Sequence, residues 1–263
     1  MKRCWLGVAL CAWLAACGRE VFDHAAASQA QREDGGREPG APEGGPPAAD
    51  QCTGQQDGAR CDDWDPCTPS SMCRGGACAP GNAFGDCTIA DSAAEFGETQ
   101  GESGWFYGYW DETGDADGSY ALNDFSDMEY CGEDTWRPPG ICELTPDEPG
   151  FRWTQNLNWG LQHPETTPDV ELPVRRWVSD VSGPASLSIE HHVDGEFSDG
   201  TRALLLFDGR EVWRNVAVGG DEVGVRATMP IELAIGMVID QLVHPLAGSA
   251  DDTTYFTIRI EGR

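Results

Sequence analysis

The 263-residue chain carries 45 acidic residues against 17 Lys and Arg residues, which gives a formal net charge of −28 at pH 7. Such a surface excludes nucleic acid as a ligand, because affinity for nucleic acid comes from Lys and Arg side chains that neutralise phosphates. It also excludes an anionic polymer, unless divalent cations such as calcium mediate the contact. Solubility is an equally simple explanation of the acidity.

The N-terminal segment has the pattern of an export signal. Two basic residues precede 13 uncharged residues, Cys4 to Ala16, an apolar run too short to span a bilayer. The Leu-Ala-Ala-Cys that ends at Cys17 resembles the lipobox of bacterial lipoproteins. That resemblance implies that residues 1–16 are a signal peptide and that Cys17 carries a lipid anchor, whereas an ordinary cleaved signal is the alternative. We expect an outer-membrane lipoprotein of the cell envelope or a protein of the extracellular surface.

The next two segments have contrasting compositions. Residues 17–50 are rich in Ala, Gly, Pro, Glu and Gln and lack the apolar residues for a core, which predicts a disordered tether. Residues 51–87 resemble small Cys-rich repeats of the CDDxxxCT type in secreted bacterial proteins, and their even cysteine number predicts a disulfide framework. Zinc is disfavoured, because the segment has no His and no paired C-x₂-C. The six cysteines are Cys52, Cys61, Cys67, Cys73, Cys78 and Cys87.

Residues 88–263 predict an all-β domain, because short alternating segments recur between Gly and Asp turns. Ala185–Val193 and Thr254–Ile260 each alternate apolar and polar residues, and many such strands indicate a β-sandwich. Ile231–Val243 is open between helix and strand. In the loop-rich first half we expect a Cys131–Cys142 disulfide. Packing anchors are expected there at Trp136, Trp153 and Trp159.

Five motifs of this domain resemble a jelly-roll module that recurs in large exported bacterial proteins. They are EFGETQGESGWFYGYWD from Glu95, His163-Pro164, VRRWVSDVSG from Val174, DGTRALLLFDGREVW from Asp199 and DDTTYFTIRI from Asp251. The resemblance implies a jelly-roll or galactose-binding-like β-sandwich. Related sandwiches are often attached to carbohydrate-active enzymes, so it also implies sugar binding, although a fold does not fix a function.

The densest aromatic stretch of the chain is the strand predicted for Trp105–Trp110. Alternation places Trp105, Tyr107 and Tyr109 on one face of this strand. It places Phe106 and Trp110 on the opposite face. Exposed rings there would stack on sugars, whereas rings covered on both faces would be core. Solvent exposure distinguishes the two interpretations. The ligand-binding candidates are Trp105, Tyr107, Tyr109, Trp177 and Arg176. Arg175 and Arg176 are adjacent in a predicted strand, so we expect them to point to opposite faces.

Acidic side chains near this strand predict a structural calcium ion. The turn after it departs from the EF-hand pattern, which favours a calcium loop of another geometry over a true EF-hand. A solvated acidic turn is the alternative. Related sandwiches often join their first and last strands through calcium, which adds one candidate at each end of the domain. The six candidates are Asp111, Asp115, Asp117 and Asp124 in the turn, with Glu95 and Asp252 implied by the resemblance.

No catalytic signature emerges from the sequence. There is no G-x-S-x-G, and a lyase that needs a Tyr-x-Lys pair is excluded, because the only lysine is Lys2 in the signal segment. A pair of hydrolytic carboxylates remains an open alternative. The sequence therefore predicts a surface-anchored, non-catalytic recognition module. Its ligand is a glycan or, second, a cell-surface protein; a carboxylate-based polysaccharide hydrolase is the third hypothesis.

Overall fold

The computed structural model of the protein describes residues 51–83, 87–166, 168–193 and 195–263. The predicted signal peptide, the predicted lipidation at Cys17 and the predicted tether lie outside these ranges. No helix within the described ranges is long and apolar enough to cross a membrane.

The described residues form sixteen short strands and three turns of 3₁₀ helix. The helices are Glu102–Gly104, Leu122–Asp124 and Asn158–Gly160. The strands are β1 (Met72–Arg74), β2 (Ala77–Ala79), β3 (Thr88–Asp91), β4 (Trp105–Asp111), β5 (Ser126–Asp127), β6 (Glu129–Gly132), β7 (Thr135–Arg137), β8 (Gln155–Leu157), β9 (Leu161–His163), β10 (Glu171–Val178), β11 (Gly183–Val193), β12 (Thr201–Phe207), β13 (Arg210–Ala217), β14 (Asp221–Leu233), β15 (Val238–Pro245) and β16 (Thr254–Gly262).

Two antiparallel sheets pack as a sandwich, which confirms the predicted all-β fold. The first sheet has the strand order β13-β12-β15-β10-β4-β5. The second sheet has the order β14-β11-β16-β9-β8-β7-β6, with β3 added beside β16. Strands β1 and β2 pair with each other in the Cys-rich segment. The segment left open between helix and strand belongs to β14 and β15, joined by the turn at residues 234–237.

Apolar side chains on the facing sides of the two sheets form the core. On β11, Leu187 and Ile189 are 0% and 2% exposed, and on β16, Phe256 and Ile258 are 0% and 1% exposed. This is the alternation expected from the sequence, because successive side chains of a strand point to opposite faces. The residues between them point away from the core and form the outer face of the second sheet.

The predicted stacking residues on β4 and β10 belong to the core. Trp105, Tyr107 and Trp177 are each 1% exposed, so the prediction that they stack on a ligand is wrong. Trp105 donates from Nε1 to Glu95 Oε2 (2.9 Å), and the ring of Tyr107 stacks on Trp136 at 5.0 Å. The other interpretation of the aromatic strand, a place in the core, is confirmed for these side chains.

Protein also covers the remaining side chains of β4. Tyr109 shares a face with Trp105 and Tyr107 and is partly buried against the main core, and burial raises its pKa. Trp110 is 4% exposed and belongs to a second apolar cluster, to which Tyr120 and Phe125 contribute from residues 112–125. We call residues 112–125 the strap. Because the strap packs against this cluster, neither face of β4 offers an aromatic platform to a ligand.

Consecutive arginines on β10 point to opposite faces, as predicted, and protein groups engage both. Arg176 donates from Nε and Nη2 to the two carboxylate oxygens of Asp240, at 2.8 and 2.9 Å. Its Nη2 also donates to Tyr120 Oη at 2.9 Å, while Asp240 is 0% exposed. Arg176 therefore fastens the strap to the first sheet, and ligand binding by Arg176 stays a prediction.

All eight cysteines predicted to form disulfides do so. Along the Cys-rich segment the first cysteine pairs with the fourth, the second with the fifth and the third with the sixth; the pairs are Cys52–Cys73, Cys61–Cys78 and Cys67–Cys87, with Cys131–Cys142 in the sandwich. The segment packs on the sandwich, because Ser182 Oγ donates to Asp62 Oδ2. A Cβ added to Gly262, at the end of β16, would overlap the Cys67–Cys87 sulfurs.

Candidate functional site

A groove of about 710 Å³ lies on the outer face of the second sheet. It crosses β14, β11, β16 and the end of β3, and the loop that carries Trp159 is one of its walls. Strand register aligns its polar side chains in rows, because residues paired across antiparallel strands share a face. The two central rows are Arg226–Glu190–Thr257 and Thr228–Ser188–Arg259.

The charges in the groove balance each other. Arg226 Nη2 lies 2.6 Å from Glu190 Oε1, and Arg259 Nη1 lies 3.5 Å from Asp91 Oδ2. These two cations and two anions sum to zero in a chain whose net charge is −28. Exposed ion pairs stabilise a fold little, so these side chains can exchange hydrogen bonds with a polar ligand at low cost.

Trp159 projects from the rim of the groove with 72% of its surface exposed. Its backbone is left-handed (φ 56°, ψ 26°), a conformation that is costly for a large residue and that neighbouring contacts must hold. Asn158 supplies one contact, because its Oδ1 accepts from Trp159 N at 2.6 Å and its Nδ2 donates to Asp134 (3.0 Å). Gly160 supplies another, because it touches Thr257 so closely that a Cβ would overlap that side chain.

An aromatic pair lies on the outer face one row further along the strands. The rings of Tyr255 on β16 and His192 on β11 stack at 4.6 Å with 22° between their planes. Tyr255 contributes to the lining of the groove, and it pairs across the sheet with Leu161 on β9. The groove thus combines one projecting indole, one flat phenol ring and a set of hydroxyl, carboxylate and guanidinium groups.

Arg175 holds the Trp159 loop from beneath. It is 0% exposed, and its Nη2 donates to the carbonyl oxygens of Leu157 and Leu161 (2.7 Å to the latter), which flank the loop. Its Nη1 donates to Ser92 O at 3.2 Å. Burial lowers the pKa of Arg175 to about 10, so it stays a cation at neutral pH. A core residue of the first sheet therefore fixes an exposed loop of the second.

Of the three tryptophans predicted as packing anchors, one is buried. Trp136 is 3% exposed, and its Nε1 donates to Gly97 O at 2.9 Å, which confirms that prediction. Trp153 and Trp159 are 43% and 72% exposed, so as packing anchors they were predicted wrongly. Both lie beside the β8–β9 hairpin of the second sheet. These two exposed tryptophans therefore lie with the second sheet, not on β4.

The predicted calcium ligands do not converge within the part of the chain that the structure describes. No three of the six candidates bring one carboxylate oxygen each within 4.8 Å of one another. Those of the acidic turn cap their own backbone; for example, Asp117 Oδ1 accepts from Ser119 N at 2.9 Å. Glu95 and Asp252 lie near opposite ends of β16, because β3 pairs with its end and Asp252 precedes its start. Calcium binding stays a prediction.

A substitution of Asp252 tests both the calcium prediction and the pH dependence of stability. The residue is 0% exposed; its Oδ1 accepts from Ser198 Oγ at 2.5 Å, and its Oδ2 has no partner among the described residues. Burial raises its pKa to about 6, and Asp199 and Asp251 add to the rise. The protonated carboxyl is therefore the form that the folded state favours.

We expect Asp252→Asn to raise the melting temperature above about pH 6 and to leave it unchanged near pH 4. A pKa raised on folding contributes stability that is fully present below the unfolded value of 3.8 and is lost as the pH rises through about 6. Thermal unfolding across this range, with calcium and then with EDTA, measures the effect, and Asp180→Asn, at an exposed position that does not act on the pKa of Asp252, is the control. Calcium at Asp252 predicts the reverse: the wild-type protein gains stability from the ion, and the variant loses that gain.

No protein-family model matches this chain, and no curated protein matches it. Similar solved structures include CBM51 from Clostridium perfringens GH95 in complex with methyl-galactose, with 12% identity and a TM-score of 0.28 over 41% of this chain and 72% of that chain. A family 35 carbohydrate binding module from Clostridium thermocellum has 12% identity and a TM-score of 0.26 over 44% and 85%.

A third similar structure is the Stig cyclase Fisc from Fischerella sp. TAU, with 12% identity and a TM-score of 0.30 over 67% of this chain and 97% of that chain. Carbohydrate-binding modules and a cyclase thus share a distant likeness to one chain. At these TM-scores the likeness carries no argument about function, so the function inferred below rests on the groove and its side chains.

Proposed function

We propose that this protein is a non-catalytic glycan-recognition module whose ligand binds in the groove beside Trp159. The observation that carries the proposal is the indole itself, 72% exposed and held by contacts on both sides. A sugar ring has an apolar C–H face that covers an aromatic ring, and its hydroxyls need the convergent polar groups that such sites provide. The groove rows beside Trp159 supply hydroxyl, carboxylate and guanidinium groups of that kind.

The charge balance of the groove favours an uncharged glycan. Its two arginines are already paired with Glu190 and Asp91, which leaves no excess cation for an acidic sugar. The whole chain carries −28, so its field repels anionic polymers. An uncharged oligosaccharide meets neither obstacle. With the predicted lipid anchor at Cys17, the protein would hold such a glycan at the cell envelope or extracellular surface.

A protein partner is the second candidate function, and one observation favours it. Phe197, Val218 and Val223 are 81%, 62% and 85% exposed. The loops that carry Phe197 and Val218 touch, because Gly220 N donates to Gly195 O at 2.9 Å, and Val223 follows at the start of β14. Exposed apolar groups of this kind recur at protein interfaces. This surface lies outside the groove residues, so the two candidates can be separated by substitution.

We expect the full-length protein to bind uncharged oligosaccharides saturably, and Arg226→Ala to weaken that binding about tenfold. A lost hydrogen bond to a charged group costs about 1.5–3 kcal/mol, and 1.4 kcal/mol corresponds to a factor of ten. A panel of neutral and acidic glycans followed by titration calorimetry measures the affinities. Arg214→Ala is the matched control, because Arg214 forms an equally exposed pair with Glu211 (2.5 Å) on the first sheet.

The two variants make the proposal falsifiable. Equal losses in Arg226→Ala and Arg214→Ala would place the binding outside the groove. Folded protein that binds no glycan of the panel would contradict the proposal and leave the Phe197 surface as the functional one. Preferential binding of acidic glycans would contradict the argument from charge balance but not the assignment of the groove as the binding site.

A further inference from the structure

We propose that the glycan continues beyond the groove onto a second subsite centred on Trp153, so that the protein binds oligosaccharides of several units more tightly than single sugars. This inference rests on the proposed function. It assigns a role to an exposed tryptophan that the groove does not use, and it specifies the ligand as an oligosaccharide of several units or a polysaccharide.

Register places Trp153 on the same face of the sheet as the groove. Tyr255 pairs with Leu161 on β9, and His163, two residues further on, pairs with Gln155 on β8. Strand alternation puts Tyr255, Leu161, His163 and Gln155 on the outer face. Gln162, between Leu161 and His163, points the other way, because it donates to Pro173 O (3.3 Å) of the first sheet. The Trp153 ring lies 5.8 Å from the His163 ring, so it covers this outer face just past Tyr255.

The surroundings of Trp153 give it the properties of a binding platform. Its ring is 43% exposed and meets Phe151 edge-on at 5.0 Å, and its backbone N–H donates to Glu165 Oε2 at 3.0 Å. Arg137 lies with its Cζ 5.4 Å above the Phe151 ring. The platform thus joins a flat, fixed indole to a guanidinium group, as the groove joins Trp159 to Arg226.

Two buried nitrogen atoms beside this platform have no hydrogen-bond partner among the described residues. His163 is 7% exposed, and its Nδ1 makes no hydrogen bond with any described residue; the same holds for the buried Nε of Arg137. Burial lowers the pKa of His163, so at neutral pH its ring is uncharged. Buried polar atoms without partners are uncommon in folded proteins. Their presence at one place favours a polar ligand there over a purely structural cap.

The spacing of the two tryptophans sets the length of the ligand. Trp153 and Trp159 flank β8 and are six residues apart (159 − 153), so their Cα atoms are at most about 20 Å apart. Between them the outer row runs through Leu161 and Leu157, two partly buried apolar side chains. A chain of several units lying along this row would cover both indoles.

Titration with a ladder of oligosaccharides of increasing length tests the subsite, using the glycan that the full-length protein binds best. In the wild-type protein we expect affinity to rise with length until both platforms are covered. Trp153→Ala is expected to lower affinity for the longest oligomer about tenfold, the loss expected when an aromatic ring no longer covers apolar surface. Its affinity for the shortest bound oligomer is expected to stay within about twofold of wild type.

Two further variants guard this test against a folding artefact. Trp153→Phe keeps an aromatic platform and is expected to recover most of the length dependence, while Phe197→Ala removes an exposed ring outside the face. Affinity that does not rise with length, or a Trp153→Ala loss that is equal for short and long oligomers, overturns the inference. Absence of binding at every length contradicts the proposed function itself, which is a different outcome.

Discussion

Trp159→Ala is expected to weaken glycan binding roughly fiftyfold, the largest effect on binding of any single substitution in the groove. A sugar ring that covers about 100 Å² of the indole contributes roughly 2.5 kcal/mol at 25 cal/mol per Å². Because the side chain is 72% exposed in the free protein, the free energy of unfolding should change by less than about 0.5 kcal/mol. Titration calorimetry and urea unfolding measure the two quantities on the same samples.

Trp159→Gly makes this test sharper. Glycine adopts the left-handed backbone of this position without strain, so the variant should lose binding while gaining about 0.5–1 kcal/mol in unfolding free energy. Phe197→Ala, which removes another exposed ring, is the control and should bind as wild type. If Trp159 were a structural residue, both Trp159 variants would instead lose stability, and binding would fall only as the fraction of folded protein fell.

Arg175→Met is expected to lower the free energy of unfolding by about 3–5 kcal/mol, the largest effect on stability among our predictions. Methionine fills a similar volume but leaves the carbonyl oxygens of Leu157, Leu161 and Ser92 without the donors that they now have. Urea unfolding measures the loss. Hydrogen exchange should show faster exchange at Trp159 and its neighbours than in the rest of the second sheet.

The matching control is Arg214→Met, which removes an exposed guanidinium of the first sheet and should change stability by less than about 0.5 kcal/mol. Arg175→Lys keeps the charge but not the planar fork, so an intermediate loss is expected. An Arg175→Met variant as stable as wild type would show that these carbonyl contacts contribute little. If hydrogen exchange at Trp159 were unchanged in Arg175→Met, Arg175 would stabilise the core without fixing the position of the Trp159 loop.

Local alternation predicted much of this fold. It placed Leu187 and Ile189 on the buried side of β11, and it placed Arg175 and Arg176 on opposite faces of β10. Cysteine parity predicted the disulfides but not their connectivity. These successes share a cause, because each depends on the geometry of a single strand or on a count along the chain.

The prediction that the aromatic residues of β4 bind a ligand failed because strand alternation gives no information about burial. Alternation divides the rings of β4 between two faces, but it does not say what covers each face. In the structure Trp105 faces the second sheet, and the strap, which follows β4 in the sequence, covers Trp110. The ion pair of Arg176 could not be predicted for the same reason, because its partner Asp240 is 64 residues away in the chain. Exposure is a tertiary property.

Trp159 was missed although the sequence holds a signal for it. It stands between Asn158 and Gly160, and Asn and Gly both favour turns and left-handed backbone. A tryptophan in such a turn projects outward more readily than one inside a strand. The rest of the groove has no comparable local signal, because Arg226 and Glu190 meet only through the pairing of β14 with β11.

The crossed disulfides also have a mechanical consequence. A pull between a ligand in the groove and the N-terminal side of the chain passes from β16 to its neighbour β3 and then to Cys87. From there the shortest covalent path to Cys52 uses two disulfides, with 5.0 and 5.3 Å between their Cα atoms, and the six residue steps from Cys67 to Cys73 (73 − 67), a link of at most about 30 Å. Reduction would release all 35 residues (87 − 52), which extend to about 120 Å. With its disulfides intact, the Cys-rich segment therefore extends little under a pulling force.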